Sequence, residues 1–393
     1  MNKTNGFSFE DVLLVVLFWA AICLPVVGLT FRWHRMSEQQ ENRPLAKLPQ
    51  LSTDPKTIAV FPDQFTAYYH DNFGFRPTLI HLQALTRMKA LTESSSPLVI
   101  VGKDGWLFFA GEYSATGARK VPPFTDEQLE HWRLLLEGRR QWLAKRGIRY
   151  LFTIFPRKEI IYPEYLPDRF KAAGPSRYDQ LDAYLRTHSD FQILDLRPAL
   201  LEAKSRRLTY YKTDGHWNFF GGLVGSQVII NELRKTYPEM RPVLESECYV
   251  TVSSFESDLV KVLGLSGQVS EDRLEFRLRE PAFKSIDQPV TVSMEPFSRG
   301  VTERPDSRLP RLVLFDDSAG GSLGPYLPQN FRRAVFVWLP KLDPVLIASE
   351  KPDVVIQEMG ELHLTDFLPD LTELQDLKSE GRGRQPFKFS KRK

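Results

Sequence analysis

An uninterrupted apolar segment from Val12 to Phe31 places the strongest constraint on the fold of this 393-residue chain. The segment carries no charge, and about 20 apolar residues in a helix cross the roughly 30 Å hydrocarbon core of a bilayer. Because lipid offers no hydrogen-bond partners, such a segment is confined to a helix. No small-residue cleavage site follows it, which favours a retained signal anchor. A buried core helix is the alternative.

Charges on the two sides of this segment bear on its orientation. Lys3, Glu10 and Asp11 precede it, whereas four basic residues follow it, at Arg32, Arg35, Arg43 and Lys47. Taken alone, the positive-inside rule would place the main domain in the cytoplasm. Large domains translocate largely regardless of flanking charge. The orientation that we prefer has the main domain outside the cytoplasm, in conflict with these charges.

The rest of the chain has the composition of an ordinary globular protein. Apolar residues make up 42% of the sequence and charged residues 26%, and the net charge is +3. So small a net charge gives no electrostatic footprint for nucleic acid. Cys23 lies inside the apolar segment and Cys248 in the body, so no disulfide framework is expected. No zinc-ligand spacing and no glycine-rich phosphate loop occurs, which predicts no metal and no cofactor.

Short apolar runs alternate with amphipathic segments of helical length over most of the chain. This alternation predicts an α/β fold with a parallel, doubly wound sheet that is covered by helices on both faces. The predicted strands lie at 150–155, 191–194, 311–315, 334–339 and 353–356, and the predicted helices at 125–143, 178–186, 222–235 and 323–331.

Composition also predicts the domain organisation. A stretch at about 245–308 is rich in Val, Thr and Ser with alternating patterns, typical of a small β-rich insertion. The last residues are basic and are expected to be disordered, with contact to an acidic glycan or lipid surface as the alternative. The predicted parts are an N-terminal tail at 1–11, a transmembrane anchor at 12–31, a proline-dotted linker at 32–56, a main domain at 57–377 and a basic tail at 378–393.

Three residues have the types and spacing of a nucleophilic triad. Asp214 and His216 are two apart, so in extended chain their side chains point to the same side. The carboxylate would hold Nδ1 of His216, leaving Nε2 to deprotonate Ser318, which ends an apolar run. A surface turn is the alternative for the Asp–His pair, and an N-cap is the alternative for Ser318.

The position of Ser318 also suggests how negative charge on a reacting oxygen would be held. The residue is predicted to lie where a strand turns into a helix, with Gly320 and Gly321 just beyond it. Backbone N–H groups at the start of that helix would face an oxyanion, aided by the helix dipole.

Five further residues are candidates for contacts with substrate. Arg157 and Lys158 follow the strand at 150–155, and their charges would bind an anionic sugar or, alternatively, would only be solvated. Tyr162 would line the cleft. Trp217 would either wall off the site or fill the core, and Asn218 would either donate to substrate or cap the next helix.

In the order and spacing of its motifs, the chain resembles the AlgJ/AlgX group of alginate O-acetyltransferases, which are SGNH-hydrolase-like proteins of the bacterial periplasm. The resemblance extends over nearly the whole chain. It rests on Arg43 to Ala46, Asp71 to Arg76, Gly102 to Phe109, Tyr162 to Pro167, Asp214 to Asn218, Asp317-Ser318, Phe331 to Trp338 and Lys351 to Ile356.

The resemblance implies a flavodoxin-like, SGNH-hydrolase-type domain in which Asp214, His216 and Ser318 transfer acetyl groups. It implies a polysaccharide acceptor, a membrane-bound O-acyltransferase as acetyl donor, and a place in the bacterial inner (cytoplasmic) membrane with the catalytic domain in the periplasm. Three positions depart from the group's pattern: Gly215, and Asp316 and Ala319, which stand in place of Gly and Phe around Asp317-Ser318. A carbohydrate-binding domain beyond the last strand is expected to be absent.

We therefore predict a membrane-anchored O-acetyltransferase that modifies a cell-surface or secreted polysaccharide of the alginate type through an acetyl-Ser intermediate. Two alternatives stay open at this point. One is an extracytoplasmic carbohydrate esterase that uses the same residues with water as acceptor. The other is a polysaccharide-assembly scaffold with a decayed site.

Overall fold

The computed structural model describes residues 8–31, 44–88, 93–111, 122–171, 174–366, 368–379 and 387–389. It divides into two compact units, Met1–Ser95 with Leu263–Leu265, and Ser96–Val262 with Ser266–Lys393. The predicted boundaries of the main domain at 57 and 377 remain predictions.

In the smaller unit, the described α-helices are α1 (Phe9–Phe31), α2 (Pro55–Asn72) and α3 (Arg76–Thr86). In the described part of the chain, α1 is the helix long and apolar enough to cross a membrane, which fits a single-pass anchor. Helix α2 begins after Asp54, whose carboxylate accepts the N–H groups of Lys56 and Thr57. Phe75 then adopts a left-handed conformation (φ 64°) that separates α2 from α3.

The larger unit is built on strands and shorter helices. Its described strands are β1 (Val99–Val101), β2 (Leu107–Phe109), β3 (Arg149–Phe155), β4 (Leu194–Asp195), β5 (Cys248–Phe255), β6 (Glu271–Leu278), β7 (Lys284–Ile286), β8 (Val290–Val292), β9 (Arg299–Glu303), β10 (Arg311–Asp316), β11 (Arg333–Trp338), β12 (Val354–Gly360) and β13 (Phe387–Phe389). Its described α-helices are α4 (Asp126–Ala144), α5 (Lys158–Ile161), α6 (Arg177–His188), α7 (Arg197–Ala203), α8 (Phe219–Leu233), α9 (Asp258–Val262), α10 (Pro344–Glu350), α11 (His363–Asp366) and α12 (Thr372–Lys378).

A seven-stranded sheet with the order β4-β3-β12-β10-β11-β9-β7 forms the centre of this unit. The first five strands in this order are parallel, whereas β9 runs antiparallel to both β11 and β7. The five strands predicted for a parallel sheet are parallel, and β9 and β7 add an antiparallel edge that was not predicted, so the sheet as a whole is mixed. Strands β7 and β9 come from the predicted insertion at 245–308, so part of that segment extends the sheet.

Helices cover both faces of the sheet, as predicted. Successive strand residues point to opposite sides, so each central strand presents apolar side chains on both faces. On one face, Leu312, Leu314 and Ile356 pack in a core with residues of α7 and α8. On the other, Val313, Phe315 and Val355 pack with residues of α4 and α6. Full burial of each such side chain stabilises the fold by roughly 1.5–3 kcal/mol.

The segment after Ser318 differs from its prediction. In place of a helix over 323–331, two short 3₁₀ turns occur, at Gly320–Ser322 and Leu327–Asn330. Gly320, Gly321 and Gly324 precede Pro325 there, and both residue types disfavour an α-helix. The basic tail was expected to be disordered. Phe387–Phe389 instead forms a short strand that pairs with β8.

Candidate functional site

A hydrogen-bonded Asp–His pair lies on the loop before α8. Nδ1 of His216 is 2.7 Å from Oδ1 of Asp214, which also accepts the backbone N–H of His216 at 2.9 Å. Burial disfavours charge on both groups, but their mutual hydrogen bond and attraction prevail. The pKa of Asp214 is therefore lowered and the pKa of His216 is raised.

The third predicted residue completes a chain of hydrogen bonds. Ser318 Oγ lies 2.9 Å from Nε2 of His216. Strand β10 ends at Asp316, so Ser318 stands exposed just beyond the carboxyl edge of the sheet. Ligands of open α/β sheets bind at this edge.

The loop that carries the Asp–His pair is held by a buried lysine. Lys158 Nζ donates to the backbone oxygens of Leu107 at 2.6 Å, Lys212 at 2.9 Å and Asp214 at 2.9 Å. Burial lowers the pKa of Lys158 to about 7. These contacts make it a support for the loop. Lys158 also lines the cavity beside Ser318, so its contact with substrate stays a prediction.

The β5–β6 segment supports the same loop from another side. Glu271 accepts the N–H groups of Lys212 at 3.0 Å and Thr213 at 2.6 Å. Ser257 Oγ donates to the Thr213 carbonyl oxygen at 2.6 Å, and the Asp258 N–H reaches Oδ2 of Asp214 at 3.3 Å. These contacts fix a loop that Gly215 alone would leave flexible.

A second Asp–His pair lies beside the serine and was not found by sequence reasoning. Nδ1 of His363 is 2.7 Å from Oδ2 of Asp317. The same carboxylate accepts the N–H groups of Ala319 at 2.8 Å and Gly360 at 2.7 Å. Burial raises the pKa of Asp317, but these bonds outweigh it and the net shift is downward. Asp317 therefore ties the serine turn to the end of β12.

Other carboxyl groups near Ser318 behave differently. Burial, with the charge of Asp317, raises the pKa of Asp316 to about 8. Burial and the charges of both aspartates raise the pKa of Glu358 well above its ordinary value. Both acids therefore interact with Asp317, the chain neighbour of Ser318.

The predicted oxyanion donors do not fit the structure. The Ala319 N–H is bound by the Asp317 carboxylate, and the Gly320 N–H donates to the Asp317 carbonyl oxygen at 3.3 Å. A 3₁₀ turn of three residues follows, so no α-helix dipole is aimed at Ser318.

A cavity of about 310 Å³ opens at these residues. Its walls are mainly apolar, and it contains the catalytic candidates together with both members of the second pair. The lining includes Phe109, Phe155, Arg157, Asp214, His216, Asp258, Leu259, Val262, Asp317, Ser318, Leu362 and His363. Among the described residues, no cluster of three or more His, Cys, Asp or Glu side chains is arranged to hold a metal.

The remaining substrate candidates divide by position. Arg157 lines the cavity and pairs with Glu159. Tyr162 is buried against Thr209, so it does not line the cleft as predicted. Trp217 lies in the core and donates to the Ala319 carbonyl oxygen at 2.9 Å. Asn218 caps α8, where Oδ1 accepts the Gly221 N–H at 2.9 Å. For the last two, the structural alternatives hold.

Residues 99–288 match the family described as SGNH hydrolase-like domain, acetyltransferase AlgX. The matched region includes Asp214 and His216 and ends before Ser318. Curated relatives named "Probable alginate O-acetylase AlgJ" are 29% identical over 174 residues in Pseudomonas aeruginosa (44% of this chain, 42% of the relative) and 28% identical over 222 residues in Pseudomonas syringae pv. tomato (54% of each). The chain thus spans about half the length of the relatives it matches.

Solved structures give the same fold. The chain is similar to PatB1 of Bacillus cereus with a TM-score of 0.51 and 15% identity, over 68% of this chain and 97% of that one. At this identity the likeness establishes the fold alone. Together, the matched region and the curated relatives show that the chain is similar to the AlgJ/AlgX group, and its fold is that of SGNH hydrolase-like proteins.

Proposed function

We propose that this protein is a polysaccharide O-acetyltransferase that works through an acetyl-Ser318 intermediate. The observation that carries the proposal is the continuous chain of hydrogen bonds from Asp214 through His216 to Ser318, at 2.7 Å and 2.9 Å. Relatives named alginate O-acetylase support acetyl transfer to a polysaccharide of the alginate type.

The first half-reaction forms the acyl-enzyme. Ser318 Oγ attacks the acetyl carbonyl carbon of the donor while Nε2 of His216 takes the hydroxyl proton. The tetrahedral intermediate then collapses, the bond from the acetyl carbon to the donor breaks, and His216 returns the proton to the departing group. Asp214 holds the imidazole in the required tautomer and stays ionised, consistent with its lowered pKa.

The second half-reaction delivers the acetyl group. A sugar hydroxyl takes the place of the donor, His216 removes its proton, and the hydroxyl oxygen attacks the acetyl-Ser carbonyl carbon. Collapse breaks the ester bond to Ser318 Oγ, which regains its proton from His216. The products are an acetylated sugar and the free serine.

The apolar cavity wall and the braced loops support this chemistry. Apolar walls such as Phe109, Leu259 and Leu362 limit water at an ester that water would otherwise hydrolyse. Lys158 and Glu271 hold the base loop and Asp317 holds the serine turn, so the reacting groups are fixed before substrate binds. Such fixed supports favour a catalyst over a decayed scaffold.

The donor and the location are further parts of the proposal. Helix α1 would anchor the chain in the bacterial inner membrane, with the larger unit in the periplasm. There a membrane-bound O-acyltransferase would supply the acetyl group across the membrane. The apolar helix and the family support this arrangement.

Intact-protein mass spectrometry tests the mechanism. The full chain in detergent is treated with an activated acetyl ester, and we expect a single acetyl adduct on Ser318 that is absent in Ser318→Ala and His216→Ala. No adduct on folded protein would contradict the proposal. Adding an oligosaccharide then separates transfer, which yields acetylated sugar, from hydrolysis, which yields only acetate.

A further inference from the structure

Helix α2 in the smaller unit is amphipathic although it is not part of the sheet domain. At 100° per residue, Ile58, Phe61 and Phe65 share one face, and the rings of Phe61 and Phe65 stack with centroids 6.0 Å apart. Ile58 is 55% exposed and Phe65 is 42% exposed. Lys56, Asp63 and His70 occupy the opposite face. An exposed apolar stripe opposite a charged face is typical of helices that lie on a bilayer.

The turn after α2 packs directly on the apolar helix α1. The Gly74 N–H donates to the Pro25 carbonyl oxygen at 3.0 Å. A Cβ atom placed on Gly28 would lie only 2.8 Å from the Cα of Gly74, so the two backbones meet where no side chain fits. This contact ties the end of α2 to a fixed level along α1.

That level can be converted into depth in a membrane. Helix α1 ends at Phe31, six residues after Pro25 and three after Gly28. At about 1.5 Å per residue, the contact lies roughly 5–9 Å inside the end of the helix. If Val12 to Phe31 spans the roughly 30 Å hydrocarbon core, Gly74 lies within roughly 5–9 Å of the boundary with the headgroups, a depth that apolar faces of interfacial helices reach.

The residues at this level suit that boundary. Tyr69 and Phe73 have ring centroids 6.0 Å apart, and tyrosine in particular is enriched where hydrocarbon meets water. In α3, Leu79 and Leu82 are three residues apart on one face and are 46% and 60% exposed. Both helices that flank the turn therefore present exposed apolar side chains.

We propose that α2, the turn at 73–75 and α3 form an interfacial collar that lies in the headgroup region of the bilayer, beside the anchor helix. The inference rests on the proposed membrane anchoring of α1. We expect lipid to cover the apolar faces of α2 and α3. The contact of Gly74 with Pro25 and Gly28 places both helices near the level where α1 leaves the hydrocarbon. An integral membrane protein covering the same faces is the alternative that the experiment excludes.

Site-specific fluorescence on the full chain in phosphatidylcholine/phosphatidylglycerol vesicles tests this. An environment-sensitive probe is attached to single cysteines at Ile58→Cys, Phe65→Cys or Leu82→Cys, in a Cys23→Ser, Cys248→Ala background. Asp63→Cys, on the polar face of α2, is the matched control. The native Cys23, labelled alone, reports insertion of α1.

With brominated lipids as quenchers, we expect at least about twofold stronger quenching at positions 58, 65 and 82 than at position 63. Quenching at Cys23 with no difference between the two faces of α2 would overturn the collar and leave the anchor standing. No quenching at Cys23 would overturn both. Burial of positions 58, 65 and 82 that appears only when a membrane protein is added would assign the faces to a protein and overturn the lipid contact.

Discussion

Two aspartate–histidine pairs face the same cavity with the same geometry, yet their surroundings differ. In Asp214–His216 and in Asp317–His363, Nδ1 lies 2.7 Å from a carboxylate oxygen. Each carboxylate also accepts two backbone N–H groups, those of His216 and Asp258 for Asp214 and those of Ala319 and Gly360 for Asp317. The pairs differ in their relation to Ser318: the imidazole of the first pair reaches its hydroxyl, whereas in the second pair the aspartate is its chain neighbour.

This comparison shows that a hydrogen-bonded Asp–His pair does not by itself define a catalytic role. Nε2 of His216 lies 2.9 Å from Ser318 Oγ, so the carboxylate of Asp214 orients a base. Asp317 instead joins Ala319, next to Ser318, to Gly360 at the end of β12, so its carboxylate holds the serine turn in place. We expect the first pair to move the proton and the second to position the nucleophile, so equivalent substitutions in the two pairs should have unequal effects.

Removing each imidazole should give the largest contrast. We expect His216→Gln to slow acetylation of Ser318 by about 10⁴-fold or more, because the serine loses its base. His363→Gln should slow it by only about tenfold, because the base remains. The initial rate of adduct formation from an activated acetyl ester measures both. Equal losses in the two variants would show that both imidazoles take part in proton transfer.

Neutralising each carboxylate should give the next contrast. Asp214→Asn should slow acylation by about 10³–10⁴-fold, because the amide favours the wrong imidazole tautomer. Asp317→Asn leaves an amide N–H facing the Gly360 N–H, which should lower the free energy of unfolding by about 1–3 kcal/mol with a smaller loss of rate. Denaturant unfolding and acylation rates on the same samples test this. A larger rate loss for Asp317→Asn would reverse the assigned roles.

Removing the ammonium group of Lys158, which supports the loop of Asp214 and His216, should chiefly lower the free energy of unfolding. Lys158→Met leaves three backbone carbonyl oxygens without their donor, and we expect a loss of about 2–4 kcal/mol in the free energy of unfolding. The matched variant Lys103→Met removes an exposed lysine that lies 3.7 Å from the Asp168 carboxylate and should be nearly neutral. Equal unfolding midpoints for the two variants would contradict the role given to Lys158.

The smallest effect is a shift in titration. The pKa of His216 is raised chiefly by Asp214, against the opposing effect of burial. Acylation should therefore decline as the pH falls through that raised pKa, since protonated His216 cannot accept a proton. In Asp214→Asn the His216 pKa should fall, whereas Asp317→Asn should move it less. Titration of the histidine ring signals by NMR measures this, and an unchanged His216 pKa in Asp214→Asn would refute the coupling.

The first pair was predictable from the sequence and the second was not. Asp214 and His216 are two residues apart, and Ser318 follows an apolar strand, so local geometry and the shared edge of the sheet sufficed. His363 follows β12, which was predicted to end at 356 but continues to Gly360. Gln357, Glu358 and Gly360 interrupt the apolar pattern, and Met359 alone does not restore it, so the pattern gave no sign that the strand extends to Asp317.

Long-range pairing explains the other errors. Strand β9 contains Arg299, Gly300 and Thr302, which resemble a solvated insertion more than a sheet edge, yet it pairs with β11. Lys158 resembled a solvated loop cation, because nothing local shows that three carbonyl oxygens from distant segments converge on it. The sequence shows which chemical groups each residue carries. Which distant residues those groups contact depends on how the strands are ordered in the sheet.

The lysine contacts also bear on how the catalytic part can be isolated. Leu107 belongs to the hairpin β1–β2, which pairs Val99 with Phe109 and contributes no strand to the main sheet. Because Lys158 joins that hairpin to the loop of Asp214, the hairpin helps to hold the Asp214–His216 pair in place. A fragment that starts near Ser96 retains this support. A fragment that starts at Thr125, just before α4, would keep all three triad residues but lose the hairpin that helps to align them.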